Sequence, residues 1–453
     1  GPLYLIGALR EAGIDADLLD ATAEAFEQRV MQENGLIRVG MNANQLSERI
    51  SHYDIIGVHS NFTPQTRMAF EVARLAKEQG KKVITGGVNA RNMWMRFRDM
   101  GLFDLIFFGE ADEAIKKISG SLCGVPGTIR FEGTEFREAN IPILISHLDE
   151  LPFPAWDKLP FHLYDRIAAP HGVDLTPSER YAPLMTSRGC PFRCSYCHIS
   201  TEKGGIGDLR LKSVERVVRE IEIFKSLGVK KVFIEDDSLL AKKSRVKSIF
   251  NAICDSGLTI ADVNGVNLVH FFHKTDKLEP DKEYMQFLYE SGFKQIVFPV
   301  ESGSQRILDT YASAKLNLGK MDVVELTRIA AEIGILCPVN MMIGFPDETE
   351  MEMMQTIELA RRLIGAGAPY VSFFIPIPFP GSKLFDIAVR DGYLSSDFDP
   401  DIFNWKNGVM ENTLVSKERI VELRDWAFES VNPPDHIRRR IQESIGYRWQ
   451  GGT

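Results

Sequence analysis

No stretch of this chain approaches the roughly 18 consecutive apolar residues that a membrane-spanning helix requires, so no membrane span is expected. There is no basic stripe either. The 53 Lys and Arg are outnumbered by 62 Asp and Glu, for a formal charge of −9, which argues against nucleic acid or an anionic membrane as partner. The RRR run at 438–440 reads as a solvated helix face. Cysteine is scarce, six among 453 residues, and a chain this long has no use for the disulfide framework of a small secreted domain. The dinucleotide fingerprint G-x-G-x-x-G is missing, which removes the usual signal for NAD or FAD. The opening GPLYLIGALREAG has neither a charged start nor a small-residue cleavage site. It reads as a helix and not as a signal peptide. What remains is ordinary water-soluble composition, 44% hydrophobic and 25% charged, on a chain too long for one core, so two or three domains are expected.

Against that scarcity, the stretch SRGCPFRCSYC (187–197) spends half the cysteines at once, with Cys190, Cys194 and Cys197 inside eight residues. Gly189 permits a tight turn after the strand-like YAPLMTSRG, and Pro191 helps keep the next residues out of a regular helix. Spacings of four and three put three sulfurs on one compact loop. A structural zinc wants four ligands, which would call on the adjacent His198 or a distant residue. A [4Fe–4S] cube can instead leave one iron open to a small molecule bearing an amine and a carboxylate. Cys123, Cys254 and Cys337 read as small buried hydrophobes or incidental residues. Thiols clustered in this way belong to a reducing compartment, and a cytoplasmic location is the expectation.

Beyond the cysteines, helical and strand-like segments alternate. SVERVVREIEIFKSLG (213–228) precedes KVFIED (231–236), and DKEYMQFLYESG precedes KQIVFPVESG (294–303). Six strands with helices between them predict a partial (β/α)6 barrel, whose site lies beyond the strands' C-terminal ends. Polar residues gather at those ends: Glu235, Asp236 and Asp237; Glu301, Ser302 and Gly303; GFPDET (344–349); PFPGS (378–382). Each acidic residue alone could be a helix cap; their repetition favours a shared site. Residues 1–144 carry a different α/β pattern, a doubly wound parallel sheet whose first strand is expected upstream of Gly1, with strand ends at HSN, GGVNAR and GEAD. A proline-rich linker (145–180, with LPFPAW), the barrel (181–385) and a substrate-shaping C-terminal region (386–453) complete the predicted organisation. Trp405, Lys406 and Asn407 in that last region are candidates for substrate contact.

C-P-F-R-C-S-Y-C resembles the radical S-adenosylmethionine (SAM) signature C-x3-C-x2-C, aromatic Tyr196 included. The resemblance implies a [4Fe–4S] cluster on Cys190, Cys194 and Cys197, SAM on its open iron, and a 5′-deoxyadenosyl radical. It places Tyr196, Asp236, Glu301, Ser302 and Gly344 around SAM, although IEDDS stands where a GGE triplet is usual. YDIIGVHS, KKVITGG and DLIFFGEADEAI resemble the cobalamin-binding domain of class B radical SAM enzymes. This implies cobalamin contacts at Ser60, Asn61, Phe62, Gly86, Gly87, Asn89, Gly109 and Glu110. The D-x-H-x-x-G that would supply a cobalt ligand is absent, and Asn89 stands where many relatives have His. A cofactor-free scaffold is the alternative for this half. The implied fold class is α/β, an N-terminal doubly wound cobalamin-binding-type domain followed by a partial (β/α)6 radical SAM barrel and a small C-terminal region. The layout is similar to that of fosfomycin-pathway-type C-methyltransferases. The implied activity is methyl transfer from methylcobalamin to an unactivated carbon of a small-molecule substrate, with a flavodoxin- or ferredoxin-like electron donor. Cyclisation, ring rearrangement or hydroxylation are the alternative outcomes of the same parts. A methylthiotransferase would call for a further cluster in the first half, where Cys123 stands alone.

Overall fold

The computed structural model describes residues 1–32, 35–118, 120–141, 144–166, 179–199, 209–273, 278–403 and 407–443, the last three by backbone alone. These form two compact units. The first takes in 1–164 and 399–403, and the second the remaining described residues.

In the first unit a small antiparallel pair, β1 (Arg29–Met31) and β2 (Ile37–Val39), stands apart from a five-stranded sheet. The sheet runs β3 (Ile55–His59), β4 (Lys82–Gly86), β5 (Leu105–Phe107), β6 (Thr128–Glu132) and β7 (Glu135–Ala139) in that order. β3, β4 and β5 are parallel. β4 is buried along Val83, Ile84 and Thr85, as a strand covered on both faces must be. Helix Thr66–Glu78 turns its buried side, Ala69, Ala73 and Ala76, inward; such small side chains let a backbone approach closely. The expected parallel sheet is extended on one side by the antiparallel hairpin β6–β7. The physical signal is the alternating TIRFE and EFREA around the two-residue turn Gly133–Thr134, a hairpin pattern that the βα alternation around it obscures. DADLLDA (15–21) forms no strand; Asp20 instead accepts hydrogen bonds from the Thr22 and Ala23 amides and starts a short helical turn.

The second unit holds a parallel sheet in two hydrogen-bonded parts. β8 (Tyr181–Leu184), β11 (Lys231–Ile234), β12 (Thr259–Asp262) and β13 (Phe293–Gln295) form one. β14 (Phe298–Glu301), β15 (Val339–Met342) and β16 (Val371–Phe374) form the other. Two-residue strands β9 (Ser187–Arg188) and β10 (Arg210–Leu211) pair separately. The fourth of the six expected strands is broken at Ile296–Val297, so that β13 serves β12 and β14 serves β15. The Asp262 carboxylate accepts the Val297 amide across the break, at 3.2 Å. Between strands run helices Val214–Ser226, Lys282–Glu290, Gln305–Tyr311, Val323–Ile333 and Glu350–Gly365, whose N-caps Ser213, Asp281, Ser304, Asp322 and Thr349 each accept a first-turn amide, satisfying donors that a helix start leaves open. C-terminal helix Lys417–Val431 packs Ile420 and Leu423 against Ile343, Met353 and Ile375 of the barrel. Asn407 is exposed, and Trp405 and Lys406 lie outside the described residues.

One interior cluster is ionic. Lys212 and Arg216 both donate to Glu220 (2.7 and 2.8 Å), with all three side chains no more than 3% exposed. Replacing Glu220 with Gln removes the carboxylate to which both buried cations donate, a change that costs about 3–5 kcal/mol when one partner of a buried pair is removed. Urea unfolding of Glu220→Gln is expected to show a midpoint lowered accordingly. A midpoint unchanged from the parent would mean that the cluster contributes no net stability.

Candidate functional site

The cysteine loop begins where β8 ends, and its first residues are fixed by the tip of β11. Asp236, fully buried, accepts hydrogen bonds from the Thr186 amide (2.5 Å), the Thr186 hydroxyl (2.6 Å) and the Ser187 hydroxyl (2.5 Å). Burial pushes its pKa up, and the bonds from Ser187 and Thr186 pull it back. Asp237 accepts the Gly189 amide at 2.8 Å. The far end of the loop is held as firmly. Ser195 donates its amide and hydroxyl to the Tyr311 carbonyl (2.8 and 3.2 Å), and its own carbonyl accepts the Leu384 amide at 2.7 Å. Arg193 donates its amide to the Ser313 hydroxyl at 3.0 Å. Asp236, which the resemblance directed at SAM, and its neighbour Asp237 thus hold the loop's backbone and hydroxyls, and both Asp236 oxygens are engaged in doing so.

Cys190, Cys194 and Cys197 are all partly buried on this loop, whereas Cys123 and Cys254 are exposed and Cys337 is buried elsewhere. Burial pushes the Cys194 thiol up and the Cys197 thiol to about 12, with the neighbouring sulfurs adding to both. Thiolates in such a place need positive charge close by, and the Lys315 ammonium acts on Cys194 in that sense. Among the described residues no three His, Cys, Asp or Glu side chains converge on a point where they could hold a single ion. A cube takes each thiolate on a different iron and does not require that convergence. Three thiols on one braced loop with an ammonium beside them fit such a group.

Tyr196 and Glu301 meet directly, the phenol donating to Glu301 Oε1 at 2.8 Å, and Lys315 donates to the same oxygen at 3.0 Å. Glu301 ends β14 at a register shift and adopts φ +69°, a conformation rare for a residue with a side chain. Ser302 is fully buried, its hydroxyl shared with Thr356 (3.1 Å) and bonded by the Ser304 amide (3.0 Å), so its side chain is occupied within the fold. Gly344, beyond β15, has φ +99°, and a methyl group there would lie 2.5 Å from Ile420. The Gly344 and Phe345 amides donate to Glu348 Oε2 (2.7 and 3.0 Å). Phe345 stacks on Tyr311 at 4.3 Å and lies 6.0 Å from the Tyr196 ring. Of the SAM-directed residues, Tyr196, Glu301 and the Gly344 turn come together, while Asp236 and Ser302 serve as internal braces. Lys315, in the unremarkable ASAKLNLGK, was not foreseen, and neither was Glu348, although GFPDET contains it. A groove of about 810 Å3 lined by Gly303, Met321, Val324, Met351, Met354 and Leu359 lies elsewhere, along helices Val323–Ile333 and Glu350–Gly365.

In the first unit the three strand ends do carry the expected residues: Ser60, Asn61 and Phe62 after β3, Gly86, Gly87 and Asn89 at and after β4, and Gly109 and Glu110 after β5. Gly87 (φ +102°) is where the first two ends touch; a methyl group on it would sit 2.5 Å from both the Ser60 carbonyl and the Asn61 side chain. Asn89 is buried and donates its amide to the hydroxyls of Ser60 (2.9 Å) and Thr66 (3.0 Å). Its side-chain oxygen is buried without a hydrogen-bond partner among the described residues. Glu110 accepts the Ile145 amide at 3.0 Å, and Phe62 is 54% exposed. Small residues at three adjacent ends beside an exposed ring fit a broad flat ligand. The donor set contains no histidine, and Asn89 is turned inward, so these residues fit cobalamin only without a cobalt bond from position 89.

Residues 184–360 match the family model of the Radical SAM superfamily. The chain is 29% identical over 392 residues to an uncharacterized methyltransferase of Pyrococcus horikoshii, covering 83% of this chain and 78% of that one. It is 25% identical over 464 residues to the cytidylyl-2-hydroxyethylphosphonate methyltransferase of Streptomyces wedmorensis, with coverage of 93% and 83%. Among solved structures it resembles the radical SAM methyltransferase TsrM of Kitasatospora setae with cobalamin and a [4Fe–4S] cluster bound, with a TM-score of 0.64 at 15% identity over 96% of this chain and 87% of that one. At that identity the likeness is one of fold: an α/β radical SAM fold with a partial barrel preceded by a doubly wound domain.

Glu348 gives this region a pH signature. It is fully buried, Oε1 has no partner among the described residues, and burial pushes its pKa from 4.5 to about 8. A carboxyl whose pKa is raised on folding favours the folded state while protonated. Its stabilisation is complete below about pH 4.5 and is lost as pH rises to about 8. Thermal unfolding between pH 5 and 8 is expected to show the parent losing stability relative to Glu348→Gln. Parallel curves would mean that Glu348 is already ionised in the fold.

Proposed function

We propose that this chain is a cobalamin-dependent radical SAM enzyme that methylates an unactivated carbon of a small molecule. The observation that carries the reading is the braced loop with three thiols next to the Tyr196–Glu301 pair, in a segment matching the Radical SAM superfamily. The methyltransferase part rests on similarity to two proteins described as methyltransferases, one of them acting on a phosphonate. When bound, the cluster supplies the electron that cleaves SAM to a 5′-deoxyadenosyl radical, and methylcobalamin supplies the methyl group.

The chain's own contribution is holding and shielding. Cys190, Cys194 and Cys197 ligate. Glu301 uses Oε1 for Tyr196 and Lys315. Its Oε2 has no hydrogen bond among the described residues and is left to accept from the SAM amine or a ribose hydroxyl. Gly344 presents backbone without a side chain to the nucleoside. Asn61, Phe62, Gly86, Gly87, Gly109 and Glu110 form the cobalamin surface, with buried Ser60 and Asn89 bracing it from within. Hydrogen abstraction by a radical needs no protein base, and none is assigned. A flavodoxin- or ferredoxin-like protein supplies the electrons.

Anaerobic reconstitution with iron, sulfide and hydroxocobalamin tests this. A [4Fe–4S]+ EPR signal altered by SAM, with cobalamin retained near one per chain, is expected. Cys190→Ala, Cys194→Ala and Cys197→Ala are each expected to lose that signal, while Cys123→Ser, Cys254→Ser and Cys337→Ser keep it. A cluster that survives all three loop substitutions would overturn the ligand assignment. With SAM deuterated at its methyl group, a product carrying the label supports methyl transfer; an unlabelled cyclised or hydroxylated product would replace that conclusion with the alternative chemistry.

A further inference from the structure

Lys315 is a buried cation whose position is unusually well prepared. Its side chain is 10% exposed and its partner Glu301 9%. Helix Gln305–Tyr311 ends just before it, and the chain then reverses through Ser313 (φ +61°) and Ala314 (φ +49°), two successive residues in the left-handed region. Glu301 itself sits at φ +69°. Backbone in this region is unfavourable for residues with side chains and persists only where the surroundings enforce it. All three such residues bear on one ion pair. The same reversal braces the cysteine loop, through the Tyr311 carbonyl on Ser195 and the Ser313 hydroxyl on the Arg193 amide. The Lys315 ammonium donates to Glu301 Oε1 at 3.0 Å, and a buried lysine paired in this way with a carboxylate keeps its charge. An apolar side chain could fill the same space; a charge kept here at this conformational cost acts on other charges.

We propose that Lys315 is a positioning cation for the iron–sulfur site, a fixed positive charge beside Cys194 and Cys197 that raises the reduction potential of the cluster they hold, with Glu301 as its counter-charge and Tyr196 as the second donor to that carboxylate. The inference rests on the assignment of the three cysteines as cluster ligands. On one-electron reduction from [4Fe–4S]2+ to [4Fe–4S]+ the site gains negative charge. A nearby cation stabilises the reduced form more than the oxidised one, a nearby anion does the reverse, and both act strongly where water is excluded.

The test is an EPR-monitored redox titration of the full chain, reconstituted with iron and sulfide and reduced by dithionite without SAM. Lys315→Met is expected to shift the midpoint potential to more negative values and Lys315→Arg to restore it. Glu301→Gln is expected to shift it to more positive values. A change of packing alone would not give opposite signs for the two halves of one pair. Unchanged potentials in Lys315→Met and Glu301→Gln, or shifts of the same sign, would sink the proposal. Should Lys315→Met fail to hold its iron, Glu301→Gln still decides: a potential equal to or below the parent's overturns the inference. A parent chain that takes up no cluster overturns the ligand assignment, and this inference with it, whereas a loaded parent with unresponsive variants leaves the ligand assignment standing.

Discussion

A buried carboxylate must find hydrogen-bond donors, and Asp236 finds its donors in the two residues where the cysteine loop begins. Left unsatisfied, a carboxylate in that interior would be costly. The need is met by Thr186 and Ser187, and meeting it fixes the direction in which the chain leaves β8. Arg245 adds to the same point from the next helix, donating to the Thr186 and Lys212 carbonyls at 2.8 Å. Where the three thiols sit therefore depends on a constraint from the neighbouring strand and only secondarily on the sequence between the cysteines.

The same logic recurs around the barrel mouth. Glu352 takes Arg306 and Ser304, Glu348 takes two backbone amides, and Glu301 takes a phenol and an ammonium. Side chains that look from the sequence like a ring of ligand-facing acids divide into two groups. Most complete the hydrogen bonding of turns at the strand ends. Glu301 and Glu348 each keep one oxygen without a hydrogen bond among the described residues, and it is the left-handed backbone of Glu301 that sets it apart from the capping acids.

Much of this was legible in the sequence. The cysteine spacing marked the loop, the βα alternation gave the six-strand barrel, and the polar strand ends drew attention to the turns where Tyr196 meets Glu301 and where Gly87 meets Ser60. Periodicity could not show the break at Ile296–Val297, because an uninterrupted apolar run reads as one strand whichever neighbours it pairs with. Nor could it separate Asp236 from Glu301, since both are acids at strand ends and only the donors around them differ. Lys315 was hidden for a related reason. A buried lysine has no spacing of its own, and the turn that brings it inward uses Ser and Ala where glycine would have marked the left-handed backbone. The β6–β7 hairpin had a usable signal, but the parallel pattern beside it was stronger.

The two closing contacts of the barrel mouth, Leu384 on Ser195 and Ile420 against Gly344, come from late in the chain. The first unit also depends on a late segment, 399–403, made after every strand of the barrel. The cysteine loop and the Gly344 turn lack their final supports until the last helices have been made. Vectorial synthesis therefore leaves both units waiting on the second half of the chain: the first for 399–403, and the thiol loop for the helices that brace it, so neither reaches its final form until the chain is nearly complete.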